Sequence, residues 1–191
     1  MSTKIIHNDE PYLIHPKKFV MWLFIVASVM LFAGFTSAYI VRRGEGNWEL
    51  FNLPSLFGYT TILIVISSVF MQMASAAAKK DNIKNVKLFL RLAIGFAITF
   101  CVGQYFGWKQ LVADNVYFAF SNPSNSFVYV ITGIHLAHVI GGMVFMLSII
   151  IQAYQLKVNK DNVLYISMCT TYWHFVGILW VYLYVFLYLY R

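Results

Sequence analysis

Three histidines in apolar surroundings are the residues of this sequence best able to do chemistry. His135 and His138 lie within residues 132–142, next to a pair of glycines, and His174 lies in a second apolar run. Because His135 and His138 are three residues apart, they share one face of a helix. An imidazole inside a membrane is costly, so it usually has a partner and a function.

Three interpretations of these histidines stay open at this point. Two imidazoles from different helices could hold a haem, as in membrane cytochromes. All three could bind copper or zinc, although the sequence offers no other strong ligand nearby. The third interpretation is a polar seam, in which neutral imidazoles bond to Thr, Tyr, a backbone carbonyl or a lipid head group across a helix interface. We favour the seam because it requires no further ligand.

The elements that must position the histidines are membrane helices. Sixty per cent of the residues are apolar and only 11% are charged, against about 25% charged in a soluble domain. Five apolar runs exceed the roughly 18 residues that span a bilayer. The predicted spans are residues 19–41, 55–78, 86–108, 127–154 and 163–190. The sequence therefore predicts an all-α, polytopic bundle of five transmembrane helices, with a polar tail at 1–18 and one membrane domain at 19–191.

The basic residues predict the orientation of this bundle. The net charge is +7, and the lysines and arginines flank the spans instead of forming a stripe, which argues against nucleic-acid binding. Ten of the 14 lie on the side of the N-terminal tail. By the positive-inside rule, the N-terminus is expected in the cytoplasm and the C-terminus in the periplasm.

Depth along the spans predicts that two histidines can meet. At about 1.5 Å per residue, His138 and His174 each lie about 15 Å into the membrane. This is near the middle of a core about 30 Å thick. The expected seam therefore joins spans four and five.

The acidic residues exclude several function classes. All seven lie in the tail or the loops: Asp9, Glu10, Glu45, Glu49, Asp81, Asp114 and Asp161. Proton relays in membranes use intramembrane carboxylates, and carboxylate-bridged di-iron bundles need several glutamates. Neither can be built from these spans.

Small and amide residues inside the spans indicate helix packing. Gly34 and Ala38 are four residues apart, as are Gly103 and Gly107, a spacing that lets helices approach closely. Gln104 is an isolated amide, for which we expect an interhelical hydrogen bond. Gln72 has the same expected role.

Motifs along nearly the whole chain resemble subunit III of haem-copper terminal oxidases, in its short bacterial form with five spans. Span four carries Gly-x-His-x-x-His-Val-x-x-Gly as Gly133, His135, His138, Val139 and Gly142. Span five carries the run Tyr172, Trp173, His174, Phe175, Val176. Further matches are Met21 to Ile25 in span one, Ser67-Ser68-Val69 in span two, and Gln104 shortly before Trp108 in span three.

The resemblance implies a supporting role in a respiratory enzyme. The family subunit carries no haem or copper of its own; these belong to the catalytic subunit I, with subunit II in the same complex. It binds phospholipid in a cleft, stabilises the oxidase during turnover and is associated with oxygen access. The resemblance also implies assembly into a larger respiratory supercomplex in the bacterial inner membrane. The expected seam residues beside the lipid cleft are His135, His138, Gly142, Gln104, Trp173 and His174.

Two positions depart from the family pattern. Ser28 stands where the family usually has a glutamate, and Gly177 stands where it usually has an aspartate. The first puts a role in proton uptake in doubt, and the second removes a partner for His174.

Three alternatives to a cytochrome c oxidase subunit remain. A quinol oxidase uses the same subunit, and nitric oxide reductase has a similar accessory chain. A bis-histidine cytochrome b anchor is the alternative of a different class.

Overall fold

The computed structural model describes residues 16–46, 48, 52–118, 122–155 and 163–190. Within these ranges the regular structure is entirely α-helical. The helices are α1 (Pro16–Gly44), α2 (Ser55–Lys79), α3 (Ile83–Ala113), α4 (Pro123–Tyr154) and α5 (Leu164–Tyr190). All five are long and apolar enough to cross a membrane. The predicted all-α architecture of five membrane helices is confirmed.

Several helices extend beyond the apolar runs that predict them. α1 begins at Pro16, inside the segment expected to be a polar tail, and residues 1–15 of that tail lie outside the described residues. Proline is favoured in a first helical turn because its missing N–H has no partner there in any case. α3 also extends past both ends of the predicted 86–108 span. Hydropathy marks the hydrocarbon core, whereas a helix continues into the polar interface until a cap ends it.

Asparagine side chains start two of the helices. The Asn82 side chain accepts a hydrogen bond from the Asn85 backbone N–H at 3.2 Å, at the start of α3. The Asn122 side chain accepts from the Ser124 N–H at 3.1 Å, at the start of α4. Each pairs one of the amide groups that a helix start leaves without an intrahelical partner.

The two helices that carry the histidines lie at the centre of the packing. α5 packs against α1, α2 and α4, and α4 packs against α1, α3 and α5. α2 and α3 form the most extensive helix pair. Large apolar side chains such as Met30, Val144 and Ile178 face outward, as expected of helices surrounded by lipid. The outward-facing side chains are thus as apolar as the buried core, which includes Phe32 and Leu90.

Two glycines allow the close approach of α2 and α3. A Cβ added at Gly103 would lie 2.4 Å from Thr60 Cγ2, and one at Gly107 would lie 2.4 Å from Phe57 Cε1. Their predicted packing role is confirmed. Gly34 differs, since a Cβ there would meet no described atom within 4 Å.

We expect Gly107→Ala to destabilise the bundle, because the added methyl collides with the buried Phe57 ring. The expected loss is about 1–3 kcal/mol, typical of overpacking. Thermal unfolding of the detergent-purified protein measures it. Gly95→Ala is the matched control on the same helix, where a Cβ meets nothing within 4 Å. Equal melting temperatures for the two variants would contradict the prediction.

Candidate functional site

His135 lies in the middle of the bundle and is completely buried. Its ring centroid is 5.0 Å from that of Trp180 on α5. The rings of Phe32 on α1 and Phe100 on α3 lie 6.3 and 6.2 Å away. Neither imidazole nitrogen has a hydrogen-bond partner among the described residues. Aromatic rings from three helices thus enclose His135 and hold it as a packing residue.

His138 connects α4 to α1. Its Nδ1–H donates to the backbone carbonyl of Ile134 at 2.9 Å, so in a neutral ring Nε2 is left as an acceptor. The Ser28 hydroxyl of α1 donates to the Phe24 carbonyl at 2.8 Å and lies 3.3 Å from that Nε2. Ser28 therefore contacts a histidine at the position where the resemblance leads one to expect glutamate.

His174 connects α5 to α2. Its Nδ1 forms a hydrogen bond with the Ser68 hydroxyl, and its Nε2 lies 2.9 Å from Gln72 Oε1. Both partners are neutral side chains of α2. They fill the role of the aspartate partner that the sequence lacks at position 177.

The structure does not bring His138 and His174 together, although the sequence places them at one depth. Among the described residues, no hydrogen bond or ring contact joins them, because one imidazole faces α1 and the other faces α2. The contact between α4 and α5 uses other groups. The Tyr172 hydroxyl donates to the His138 backbone carbonyl at 3.1 Å. A Cβ at Gly142 would lie 3.0 Å from the Trp173 and Tyr172 rings.

Trp173 on α5 is linked to α2 and α3 through the hydroxyl of Ser67. Its Nε1–H donates to Ser67 Oγ on α2 at 3.1 Å. Ser67 in turn donates to the Ala93 carbonyl on α3 at 2.7 Å. Both side chains are completely buried, so each polar atom depends on the other.

Gln104 makes an interhelical hydrogen bond of the expected kind. Its Nε2 donates to Thr60 Oγ1 on α2 at 2.9 Å, and Thr60 donates to the Phe57 carbonyl at 3.0 Å. Its Oε1 is buried without a hydrogen-bond partner in the described ranges. The contact closes the α2–α3 pair one turn from Gly107.

Sequence reasoning did not identify the threonines that accept these bonds. Aromatic donors reach threonine hydroxyls on neighbouring helices in three further pairs: Trp108 to Thr132 at 3.1 Å, Trp180 to Thr61 at 2.9 Å, and Tyr182 to Thr36 at 3.0 Å. Each threonine also donates to a carbonyl of its own helix. The available signal was the tryptophan itself, since an indole N–H inside a membrane needs an acceptor.

These contacts do not fit a haem held between two histidines. Such a haem would need two imidazoles facing one gap, whereas His138 and His174 use their nitrogens on different helices and His135 packs on Trp180. Throughout the described part of the chain, no group of three or more His, Cys, Asp or Glu residues is arranged to hold a metal ion. The arrangement is suited to joining helices. The lining of a lipid cleft by the six seam residues stays a prediction.

We expect Ser67→Ala to destabilise the bundle, because it leaves the buried Trp173 N–H without an acceptor. The expected loss is about 1–2 kcal/mol, in line with an unpaired buried donor and with interhelical bonds in membranes. Denaturant unfolding in mixed micelles measures this change. Ser148→Ala is the matched control, since the Ser148 hydroxyl donates to the Phe145 carbonyl of its own helix. A Ser67→Ala protein as stable as the control would contradict the role of this hydroxyl.

Several proteins are similar to this sequence over most of its length. A subunit 3 of the cytochrome bo(3) ubiquinol oxidase of Buchnera aphidicola is 26% identical, covering 91% of this chain and 93% of the relative. The cytochrome c oxidase subunit 3 of Corynebacterium diphtheriae is 28% identical, covering 87% and 84%. The probable cytochrome c oxidase subunit 3 of Nocardia farcinica is 30% identical, covering 90% and 86%.

The family model described as cytochrome c oxidase subunit III matches residues 7–191. This range contains all five helices and the histidine contacts described above. The chain therefore belongs to the cytochrome c oxidase subunit III family, whose members are parts of haem-copper cytochrome c or quinol oxidase complexes.

Proposed function

We propose that the chain is a non-redox, stabilising subunit that packs beside the catalytic subunit I of a haem-copper oxidase, with subunit II in the same complex. The observation that carries this proposal is the neutral interior of the bundle. α1 to α5 contain no Asp or Glu. The His138 imidazole bonds to the Ile134 carbonyl and the His174 imidazole bonds to Gln72, so both partners belong to this same chain. Haem and copper then belong to the partner subunit.

Cytochrome c is our first candidate for the electron donor of the complex. Two of the relatives named above are cytochrome c oxidase subunits, and the third belongs to a ubiquinol oxidase. Quinol is therefore the second candidate. The donor binds elsewhere in the complex, so this chain serves either enzyme in the same way.

The proposed location is the bacterial inner membrane, with the N-terminus in the cytoplasm. The support is the distribution of basic residues, because the turn between α2 and α3 is flanked by Lys79, Lys80, Lys84 and Lys87. Such clusters favour the cytoplasmic side of a membrane. Larger respiratory assemblies are compatible with this placement.

A groove between α1 and α5 supports the proposed binding of phospholipid. Its volume is about 430 Å³, and its walls are formed by apolar side chains that include Val29, Ala33 and Leu179. The groove is open to the surroundings of the bundle. Its shape and apolar lining suit an acyl chain that lies along the two helices.

We expect an oxidase purified through a tag on this chain to contain a haem-bearing subunit. The chain expressed alone should show no Soret absorption, because His174 is bonded to side chains of α2, His138 is bonded to the Ile134 carbonyl, and His135 is enclosed by aromatic rings. Removal of the chain from the complex should shorten the lifetime of the oxidase during turnover while haem content per catalytic subunit stays unchanged. Absorption spectra and time courses of oxygen consumption measure these properties. A Soret band from the isolated chain would refute the proposal that it carries no redox centre.

We expect Ala33→Trp to lower the amount of phospholipid that copurifies with the oxidase, because the indole fills the groove between α1 and α5. Phosphorus analysis or native mass spectrometry measures bound lipid. Val144→Trp is the matched control, since Val144 is an exposed apolar residue of α4 outside this groove. Unchanged lipid content in Ala33→Trp would remove this groove from the proposal.

A further inference from the structure

A second groove, between α2 and α5, has a polar base. Its volume is about 390 Å³. Val69 and Ile178 form parts of its walls, while Ser68, Gln72 and His174 supply polar atoms. Ile178 is 70% exposed, so this face of the bundle is open.

The hydrogen bonds at the base of this groove show which donor group there has no acceptor. Gln72 Oε1 can only accept, so the 2.9 Å contact requires His174 Nε2 to carry the proton. In a neutral imidazole Nδ1 then accepts, and the Ser68 hydroxyl donates to it. The NH₂ group of Gln72 is the remaining donor, and no described residue accepts a hydrogen bond from it. Because Gln72 is exposed, an acceptor for this NH₂ group must come from outside the described part of the chain.

The depth of Ser68, Gln72 and His174 in the membrane decides what kind of acceptor can reach Gln72. His174 lies ten residues from the start of α5 at Leu164, about 15 Å along the helix. This is close to the middle of a hydrocarbon core about 30 Å thick. Gln72 lies seven residues before the end of α2 at Lys79, about 10 Å along that helix, so its carboxamide also lies within the hydrocarbon core. Acyl chains offer no acceptor here, and an unpaired polar group in hydrocarbon costs several kcal/mol.

The groove also has room for a second backbone. Gly177 lies in its lining, and the nearest described atom to a Cβ added there is Ser68 Oγ at 3.9 Å. Small residues at such positions let two membrane helices approach closely. A helix seated here brings its acceptor groups within reach of Gln72.

We propose that the α2–α5 groove docks a transmembrane helix of another subunit of the oxidase, which supplies a hydrogen-bond acceptor to the Gln72 carboxamide. This inference rests on the proposed function, because it assigns the surface used for assembly. It also gives Gln72 a task in recognition beyond its bond to His174. Backbone carbonyls and the oxygens of Ser, Thr, Asn or Gln side chains are the acceptors that suit it.

Site-specific photo-cross-linking in the complete oxidase tests the proposal. A benzophenone amino acid replaces Val69 on one wall of the groove, and separately Val181 on the other wall, because Val181 lines this groove and not the α1–α5 groove. Val144 on α4 carries the same probe as a control. We expect an adduct with one membrane segment of another oxidase subunit from Val69 or Val181, and no adduct with that segment from Val144. Gln72→Leu should reduce the adduct about threefold, the factor contributed by an interhelical hydrogen bond of average strength in a membrane.

Other outcomes overturn the inference. Adducts with phospholipid alone, adducts between two copies of this chain, or the lack of any adduct from both groove positions would each refute helix docking. So would an unchanged yield in Gln72→Leu. These results leave the proposed function standing when the chain still copurifies with the haem-bearing subunit. Failure to copurify refutes the proposed function itself, so the two failures are distinguishable.

Discussion

Hydrocarbon offers no hydrogen-bond partner, and the interior of this bundle is organised by that constraint. Most polar side chains within these helices have an acceptor or a donor from a neighbouring helix or from their own backbone; among the described residues His135 is an exception, since it is enclosed by aromatic rings instead. Serine and threonine hydroxyls meet this need because they accept one bond and donate another. Ser67 does so between Trp173 and the Ala93 carbonyl, and Thr60 does so between Gln104 and the Phe57 carbonyl.

The need for hydrogen-bond partners explains why α5 lies at the centre of the bundle. Its aromatic and imidazole donors reach three neighbouring helices: Tyr182 bonds to α1, Trp173 and Trp180 bond to α2, and Tyr172 bonds to α4. Apolar contacts cannot choose between inward and outward positions when lipid is as apolar as the core. Directional bonds from α5 therefore fix the rotation of this helix and the relative heights of its neighbours.

Features of the fold and of the histidine contacts could be predicted only where they leave a physical signal in the sequence. The five spans were predictable because hydropathy over about 20 residues reports membrane crossing directly. The packing of Gly103 and Gly107 was predictable because close approach requires small residues at helical spacing. The separation of His138 from His174 was not, because depth along a helix leaves its rotation undetermined. Their partners Ser28 and Ser68 lie on spans far away in the sequence, and an isolated serine carries no mark of its role.

The two positions where the resemblance leads one to expect an acid are also occupied by neutral residues, in keeping with the rest of the interior. Ser28 has a short neutral side chain and still reaches the His138 imidazole. The neighbourhood of Gly177 lacks an acid, yet His174 is fully bonded through Ser68 and Gln72. A carboxylate at either place would bring a charge that must be neutralised within hydrocarbon. The hydroxyls and the carboxamide keep the histidines oriented without that requirement. An interior built in this way orients His138 and His174 without any Asp or Glu in α1 to α5.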